Sequence, residues 1–461
     1  MSPLWRRSEA GGEPKAKSAR RPGGGLDLTQ GPIVRGTVLF TLPLLASSLI
    51  QQLYNTVDML YAGNVLGTAG SATLGVSMLL ITCLICFFNG LSIGATVVVA
   101  RLLGSGDYQA TRDAVQTAFI LGLFGGIAVA ILGWAFAGFY LEALHTPPEI
   151  MKDALFYLRV YFISAIVVML YNMCAGVVRA LGNSAKTLQA QLVGGLLNVA
   201  ADWLFLVGFG WGIAGLAVAT LFSQGLAALV LLVYLCRMDS PYRLVIRESR
   251  INAEHAREMI RLGVPAGTQT LLMALSNVYA QFHINTLGTT AMASFATYFK
   301  VELIFYLPVV AFAQASTTFV AQNLGAERKD RARKGARTCI LIGIVWCIAI
   351  AAFMPIWAHW GFWIFNQDPE VIEIGLRIAW IAFPLYSIYA LQDILGATIR
   401  GWGKSTEPMV IVLVNICIVR CIIIGCLMAA FHSVEAIAVS YPITWVTSAI
   451  CMLIVYRRIS R

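Results

Sequence analysis

The chain has 461 residues, of which 58% are hydrophobic and only 12% are charged. Soluble proteins carry about 25% charged residues, so this composition excludes an ordinary soluble domain. The formal net charge of +10 does not indicate nucleic-acid binding, because the basic residues occur in alternate loops between long apolar segments. Apolar runs of about 20 residues or more recur along the whole length, which predicts an all-α polytopic membrane protein.

The first 30 residues contain basic residues, glycine and proline but no apolar core. This composition predicts a disordered tail and not a signal peptide. Basic residues also gather in 237–261, in 328–337 and at the C-terminus, whereas the loops near 63–70, 208–212, 286–291 and 361–370 have none. By the positive-inside rule, both termini are expected to be cytoplasmic.

The apolar runs predict twelve transmembrane helices, with boundaries set to within a few residues. In chain order they are 36–62, 70–103, 112–140, 152–181, 185–207, 211–236, 256–287, 291–324, 333–359, 371–401, 407–430 and 435–457.

The second half of the chain repeats the first at a shift of 221 or 222 residues. Pro43 falls on Pro265, Asn55 falls on Asn277, and Arg179 falls on Arg400. The segment VARLLG likewise falls on VAQNLG. Agreement at so many glycine, proline, asparagine and arginine positions indicates that the two halves share one fold.

Each half has six predicted helices, an even number, so both halves insert with the same orientation. This predicts two six-helix lobes related by a pseudo-two-fold axis along the membrane normal, with a cavity between them. The predicted divisions are a tail (1–30), an N-terminal lobe (31–237), a cytoplasmic linker (238–257) and a C-terminal lobe with a short basic tail (258–461).

The first predicted helix carries a polar stripe that ends in an acid. Gln51, Asn55 and Asp58 recur at spacings of three or four, so they share one helix face. A carboxylate inside a bilayer costs roughly 2.5–3.5 kcal/mol on insertion scales, and such residues are usually functional. In the fifth helix, Asn198 and Asp202 share a face in the same way.

Helix geometry places the two acids at similar depths. Asp58 lies roughly 33 Å from the cytoplasmic start of its helix, and Asp202 lies roughly 26 Å from the start of its own. Two carboxylates that meet in a low-dielectric site cannot both be charged cheaply. We therefore expect a shared proton, or a hard cation held by carboxylate, amide and hydroxyl oxygens. The alternative is that a neighbouring asparagine or serine, or water, satisfies each acid.

The acids of the second half occupy other positions. Glu302 lies two residues from Lys300 on a different helix face, and the repeat partner of Asp393 is Asn172. We expect Asp393 to pair with Lys300 or Arg400. Such a pair is either a structural ion pair or part of a functional site, and both interpretations stay open here.

At this point the chain resembles the multidrug and toxic compound extrusion (MATE) family, across residues 31–456. The shared features are the twelve helices in two lobes, Pro43 with Asp58, and the motifs ARLLGSGD, AQNLGAERKD, RALGNS, RGWGKS and NVAAD. The resemblance is closest to the prokaryotic branch that couples through acids of the N-terminal lobe. It implies a sodium or proton site at Asp58, Asn198, Asp202 and Thr220, with Asn172 nearby.

The resemblance implies an antiporter of a bacterial-type plasma (inner) membrane that exports amphipathic or cationic organic compounds by alternating access. The coupling ion would be Na⁺ or H⁺, without a cofactor, and a monomer is expected. Another branch uses an acid in the seventh helix, which Ala280 and its neighbours do not supply. The candidate substrate-cavity residues are Gln51, Tyr54, Asn55, Asn277, Gln281, Glu302 and Asp393.

Two other functions are weighed against the antiporter. A lipid-linked oligosaccharide exporter of the same superfamily would be expected to have two extra helices and a basic cavity, whereas the candidate residues here are acids and amides. An intramembrane enzyme would need a catalytic cluster. The five histidines are scattered and have no partner at metal-ligand spacing.

Overall fold

The structure, a computed structural model, describes residues 23–461, and the side chains of 62–72, 76, 78 and 79 lie outside that description. The described chain is built from helices. They are α1 (Ile33–Ser105), α2 (Tyr108–Ala143), α3 (Pro148–Ala180), α4 (Ser184–Asp202), α5 (Ile213–Arg237), α6 (Ala253–Thr286), α7 (Thr289–Gly325), α8 (Lys329–Ala352), α9 (Met354–Phe365), α10 (Pro369–Ala382), α11 (Tyr386–Gly401), α12 (Thr406–Val412), α13 (Arg420–Phe431) and α14 (Val434–Ile459).

The first of these, α1, consists of two antiparallel arms. Its 73 residues would form a rod about 110 Å long if they were straight. However, Phe40 near its start and Gly104 near its end both contact residues 319–325 of α7. The chain therefore reverses between the two apolar arms, Ile33–Tyr61 and Leu80–Ser105. These arms correspond to the first two predicted helices, although the predicted loop at 63–70 is assigned as helix.

Eleven helical segments of the described chain are long and apolar enough to cross a membrane. The 34-residue α6 is long enough but too polar to be among them. It packs along the second arm of α1, where Gly90 and Gly94 lie against the backbone of Gly267 and Gly263. With α6, the protein has the predicted two-lobe arrangement of twelve membrane-crossing segments.

Several predicted helices are interrupted in the structure. The predicted helix at 333–359 is divided between α8 and α9, because Pro355 occupies the first turn of α9. Pro384 lies in the 3₁₀ segment Phe383–Leu385, which separates α10 from α11. A π-helical segment, Leu413–Val419, joins α12 to α13, so these three elements form one membrane-crossing unit.

The two lobes repeat each other at the level of single hydrogen bonds. Thr96 Oγ1 donates to Gly176 O at 3.1 Å in the N-lobe, which comprises α1–α5. Thr317 Oγ1 donates to Ala397 O at 3.0 Å in the C-lobe, which comprises α6–α14. Both residues of the second bond lie at the 221-residue shift from those of the first. The internal repeat is therefore a structural repeat.

The lobes meet at the end of the molecule where the described terminal residues lie. A Cβ atom built on Gly104 would lie 2.0 Å from Gln322 O, and one built on Gly325 would lie 1.8 Å from Arg101 O. These are reciprocal contacts between repeat partners, so the pseudo-two-fold axis passes between them. Arg101 also forms an inter-lobe ion pair with Glu258 at 2.5 Å.

Residues 23–31, here called the N-terminal strap, run across both lobes at this end. Leu26 N donates to Gly182 O of the N-lobe at 2.9 Å, and Arg331 Nη2 of α8 donates to Gly31 O at 2.8 Å. Leu28 is only 2% exposed. The prediction of a disordered tail is therefore wrong for residues 23–30, because two leucines anchor them, and residues 1–22 lie outside the described chain.

Candidate functional site

Two carboxyl groups face each other inside the N-lobe. Asp58 lies on the first arm of α1 and Asp202 is the last residue of α4, and their side chains lie within hydrogen-bonding range of each other. Asp202 has no exposed surface. Within the described residues, Asp58 Oδ1 and both carboxylate oxygens of Asp202 are buried without a hydrogen-bond partner. Because unpaired buried carboxylates are costly, this arrangement calls for a proton or a cation.

The backbone changes geometry directly after Asp202. The α4 helix widens there into a π-helical segment, Trp203–Gly208. Short π-helical segments within α-helices are frequently found at functional sites. The widening ends the regular hydrogen-bond ladder at the residue that faces Asp58.

Amide and hydroxyl groups lie near the acids: Asn198 is one turn before Asp202 in α4, and Tyr54 is one turn before Asp58 in α1. Asn198 is 2% exposed, and its Oδ1 has no partner among the described residues. The hydroxyl of Tyr54 accepts from Gln224 Nε2 at 3.5 Å. Thr220 lies one turn before Gln224, and its Oγ1 donates to Leu216 O at 3.0 Å. We call Asp58, Asp202, Asn198, Tyr54 and Gln224 the acidic cluster.

A separate cavity of about 400 Å³ lies between the lobes. Gln51, Asn55 and Asn172 line it from the N-lobe, and Gln269 and Asp393 line it from the C-lobe. Its volume falls within the range of pockets that hold drug-sized ligands. The inter-lobe contacts at Gly104 and Gly325 close this cavity at the end where the termini lie.

Two arginines, Arg179 and Arg400, contribute to the cavity wall. The sequence analysis considered Arg400 only as a partner of Asp393 and assigned neither arginine to the cavity. Arg179 Nη2 donates to Ser92 Oγ at 2.9 Å, and Arg400 Nη1 donates to Gln269 Oε1 at 2.8 Å. They belong to the motifs RALGNS and RGWGKS. Their repetition 221 residues apart was a signal, but it indicates only that the halves correspond and not which way the side chains point.

The structure separates some residues that the sequence grouped. Asn172 lines the inter-lobe cavity, donates to Val168 O at 2.8 Å, and is not part of the acidic cluster. Asn277 is exposed, and Gln281 donates to Asn285 Oδ1 at 2.8 Å. Among the described lining residues of the cavity, neither Asn277 nor Gln281 appears.

The acids of the C-lobe also differ from expectation. Glu302 accepts from Tyr298 OH at 3.5 Å within an aromatic group and is absent from the described cavity wall. Lys300 is exposed and lies 5.7 Å from the ring of Phe365, so its expected pairing with Asp393 is wrong. The described lining residues of α7 begin at Tyr306, so Lys300 lies outside the cavity along the helix axis.

Comparison with known proteins gives the same division of the chain into two lobes. The MatE family model matches residues 43–204 and 265–427, once in each lobe. The chain is 26% identical over 400 residues to probable multidrug resistance protein YpnP of Bacillus subtilis (strain 168), which covers 86% of this chain and 88% of that protein. It is 27% identical over 384 residues to probable multidrug resistance protein YoeA of the same organism, and this match covers 82% of this chain and 83% of that protein.

A solved structure shows the same fold. The chain superposes on the outward-facing conformation of a multidrug resistance MATE family transporter of the MOP superfamily with a TM-score of 0.88, at 20% identity, over 94% of this chain and 97% of that chain. The family model covers more than half of the chain, in two matches that follow the internal repeat. The chain therefore belongs to the MatE family and is a multi-pass membrane transporter, not an enzyme.

Proposed function

We propose that this transporter is a cation-coupled antiporter. Binding of Na⁺ or H⁺ at Asp58 and Asp202 drives the export of amphipathic or cationic organic compounds through the inter-lobe cavity. The observation that carries the proposal is that three oxygens of the facing carboxyl groups are buried without a hydrogen-bond donor among the described residues. The names of the relatives, probable multidrug resistance proteins, support the class of transported compound.

The donor set suits either ion. The carboxylates of Asp58 and Asp202, the amide oxygen of Asn198 and the hydroxyl of Thr220 offer the hard oxygen ligands that Na⁺ accepts. A proton shared between the two carboxyl groups would remove the same repulsion. In both cases the ion stabilises the arrangement that brings Asp58 and Asp202 together. An ion can therefore shift the balance between conformations that hold the acids differently.

The lobe contacts support alternating access. The described inter-lobe hydrogen bonds and the Arg101–Glu258 ion pair lie at the end with the termini. If both termini are cytoplasmic, as the basic loops predict, the cavity is closed toward the cytoplasm and this is an outward-open state. We propose an inner membrane location and a monomer, since each chain holds both lobes and the acidic cluster.

The central test replaces each acid of the pair. Asp58→Asn and Asp202→Asn should each lower gradient-driven dye efflux from proteoliposomes by about tenfold or more, equivalent to ~1.4 kcal/mol, because the ion site loses half of its charge. Asp153→Asn is the matched control, since Asp153 is exposed at the start of α3. Imposing sodium and pH gradients separately identifies the coupling ion. Efflux at the original rate in both acid variants, with normal insertion, would reject the site.

A further inference from the structure

We propose that the inter-lobe cavity binds an anionic group of the transported compound between Arg179 and Arg400. The proposal deepens the proposed function and rests on it only in taking the cavity as the substrate site. Among the amphipathic compounds of the proposed function, it favours anions and zwitterions over purely cationic molecules, with a carboxylate, sulfonate or phosphate as the acidic group.

The two arginines are equivalent in the two lobes. Arg179 lies in the last turn of α3, and Arg400 lies in the last turn of α11. Both line the cavity, at the end that the contacts of Gly104 and Gly325 close. Arg400 is only 9% exposed, and its Nε is buried without a partner among the described residues. Both guanidinium groups therefore belong to the closed end of the same cavity, here called its floor.

The positive charge of this floor is not balanced. Asp393 is the carboxylate of the C-lobe wall, but its repeat partner in the N-lobe is the neutral Asn172. Within the described chain, neither arginine forms an ion pair within 4 Å of a carboxylate. The charged residues lining the described cavity are thus two arginines and one aspartate. Buried charges require counter-ions, and a single aspartate leaves one positive charge of the floor without a counter-ion among the described lining residues.

Local hydrogen bonds do not supply the missing charge. The partners of the two guanidinium groups are Ser92 Oγ and Gln269 Oε1, which are neutral. The C-termini of α3 and α11 favour a cation, but the effect of a helix end is small beside the cost of an unpaired buried charge. A planar guanidinium matches the two oxygens of a carboxylate or the oxygens of a phosphate. An anionic group on the ligand would complete the site.

The upper wall of the cavity suits the rest of such a molecule. Tyr171, Tyr306 and Tyr389 contribute aromatic surface beside amide and hydroxyl groups. Aromatic and apolar surface with a few placed polar groups is typical of small-molecule sites. The carboxylate of Asp393 can accept a hydrogen bond from the basic group of a zwitterion, so a compound with both charges also fits the cavity.

A pair of dyes isolates one negative charge. Tetramethylrhodamine carries a free carboxylate, and tetramethylrhodamine methyl ester has the same ring system without that charge. Binding is measured by fluorescence anisotropy with the purified full-length protein in neutral detergent and without an ion gradient. We expect the carboxylate dye to bind about tenfold more tightly than its ester, and Arg179→Gln or Arg400→Gln to reduce this preference to about twofold or less. Arg257→Gln, an exposed position outside the cavity, should leave the preference unchanged.

The repeat provides a second pair of variants that keep both arginines. Asn172→Asp supplies a counter-ion at the position that Asp393 occupies in the other lobe, so it should weaken binding of the carboxylate dye by about tenfold. Asp393→Asn removes the existing counter-ion and should strengthen the preference for the carboxylate dye. A folded Asn172→Asp variant that binds the carboxylate dye as tightly as the unmodified protein would overturn the proposal.

Further outcomes separate this proposal from its alternatives. Equal affinity of the unmodified protein for the two dyes would also overturn it. Comparing dye binding in nanodiscs of phosphatidylglycerol with dye binding in nanodiscs of phosphatidylcholine distinguishes the source of the anion. Displacement of the dye only by phosphatidylglycerol would assign the site to a lipid headgroup and reject a transported anion. Because no gradient is present, the dye preference should persist in Asp58→Asn. A failure of ion coupling is therefore distinguishable from a failure of the anion site.

Discussion

Gly104 and Gly325 are positions where the backbones of the two lobes meet without intervening side chains. A methyl group on Gly104 would lie 2.0 Å from Gln322 O, which is far inside van der Waals contact. Backbone atoms cannot move aside as a flexible side chain can. The absence of a side chain at this position is therefore a requirement of the lobe contact and not a matter of backbone flexibility.

Gly104→Ala should consequently destabilise the closed contact. We expect a loss of ~1–3 kcal/mol, as for other overpacked sites, seen as a lower unfolding temperature of the purified protein. Gly138→Ala is the control, because the nearest atom to its Cβ is Leu155 Cδ1 at 4.0 Å. Equal unfolding temperatures of the two variants would show that the lobe contact yields without cost.

At the scale of residues, the depth of a side chain along its helix was predicted from the sequence better than the direction in which it points around the helix. Asp58 and Asp202 could be expected to meet, because the rise per residue places both at similar depths in their helices. The direction of a side chain around its helix depends on how the helices pack. For this reason the position of Arg179 in the cavity was not predicted. The pairing of Lys300 with Asp393 was wrong because Lys300 lies beyond the described lining residues along α7.

The π-helical segment Leu413–Val419, which joins α12 to α13, is also hydrogen-bonded to α6. Ser276 Oγ of α6 donates to Ile416 O at 2.6 Å, and Cys417 Sγ donates to Leu272 O at 3.1 Å. Ser276 is 2% exposed. A buried hydrogen bond between elements thus fixes the polar α6 against the irregular part of the α12–α13 unit.

Ser276→Ala should loosen this connection. Loss of one buried hydrogen bond should lower stability by ~1–2 kcal/mol and increase hydrogen–deuterium exchange in residues 413–419. Thr447→Ala is the control, since Thr447 Oγ1 bonds within its own helix to Thr444 O at 3.1 Å. Unchanged exchange at 413–419 in Ser276→Ala would contradict a role for this bond in holding the segment.

At the scale of elements, hydropathy alone predicted most of the helices. The helix at 256–287 was predicted among the apolar runs, although α6 is more polar than the eleven other spans of the described chain, and the repeat that aligns Pro265 with Pro43 supports that prediction. The π segments could not be predicted, because a π turn and an α turn in apolar sequence have the same hydropathy. The reversal within α1 lies between its two apolar arms, close to the predicted loop at 63–70, although the backbone there is helical.

The N-terminal strap connects the lobes across the closed end of the whole molecule. Arg331 donates to the backbone carbonyls of Leu28, Gln30 and Gly31 at 2.7–3.3 Å. Arg328 Nη1 donates to Thr29 O at 2.8 Å. The N-lobe end of the strap is bonded to Gly182, so separation of the lobes at this end requires the strap to detach from one of them.

Arg331→Gln should therefore weaken closure at this end. We expect hydrogen–deuterium exchange in residues 23–31 to rise by about tenfold, with faster exchange at 101–105 and 322–325 as well. Arg337→Gln provides the control on the same helix, because Arg337 is exposed. A rise confined to the strap would show that it is an attached segment without influence on the lobe contact.

The reciprocal contact of Gly104 with Gln322 and of Gly325 with Arg101 has a consequence for the origin of the chain. A surface in which each residue meets the counterpart of its partner is isologous, which is the kind of interface that two identical subunits form in a symmetric homodimer. A single-lobe ancestor would already have possessed this interface, and fusion of two copies would have needed only a connecting segment. The two lobes would then have diverged, so that one now has Asp393 where the other has Asn172.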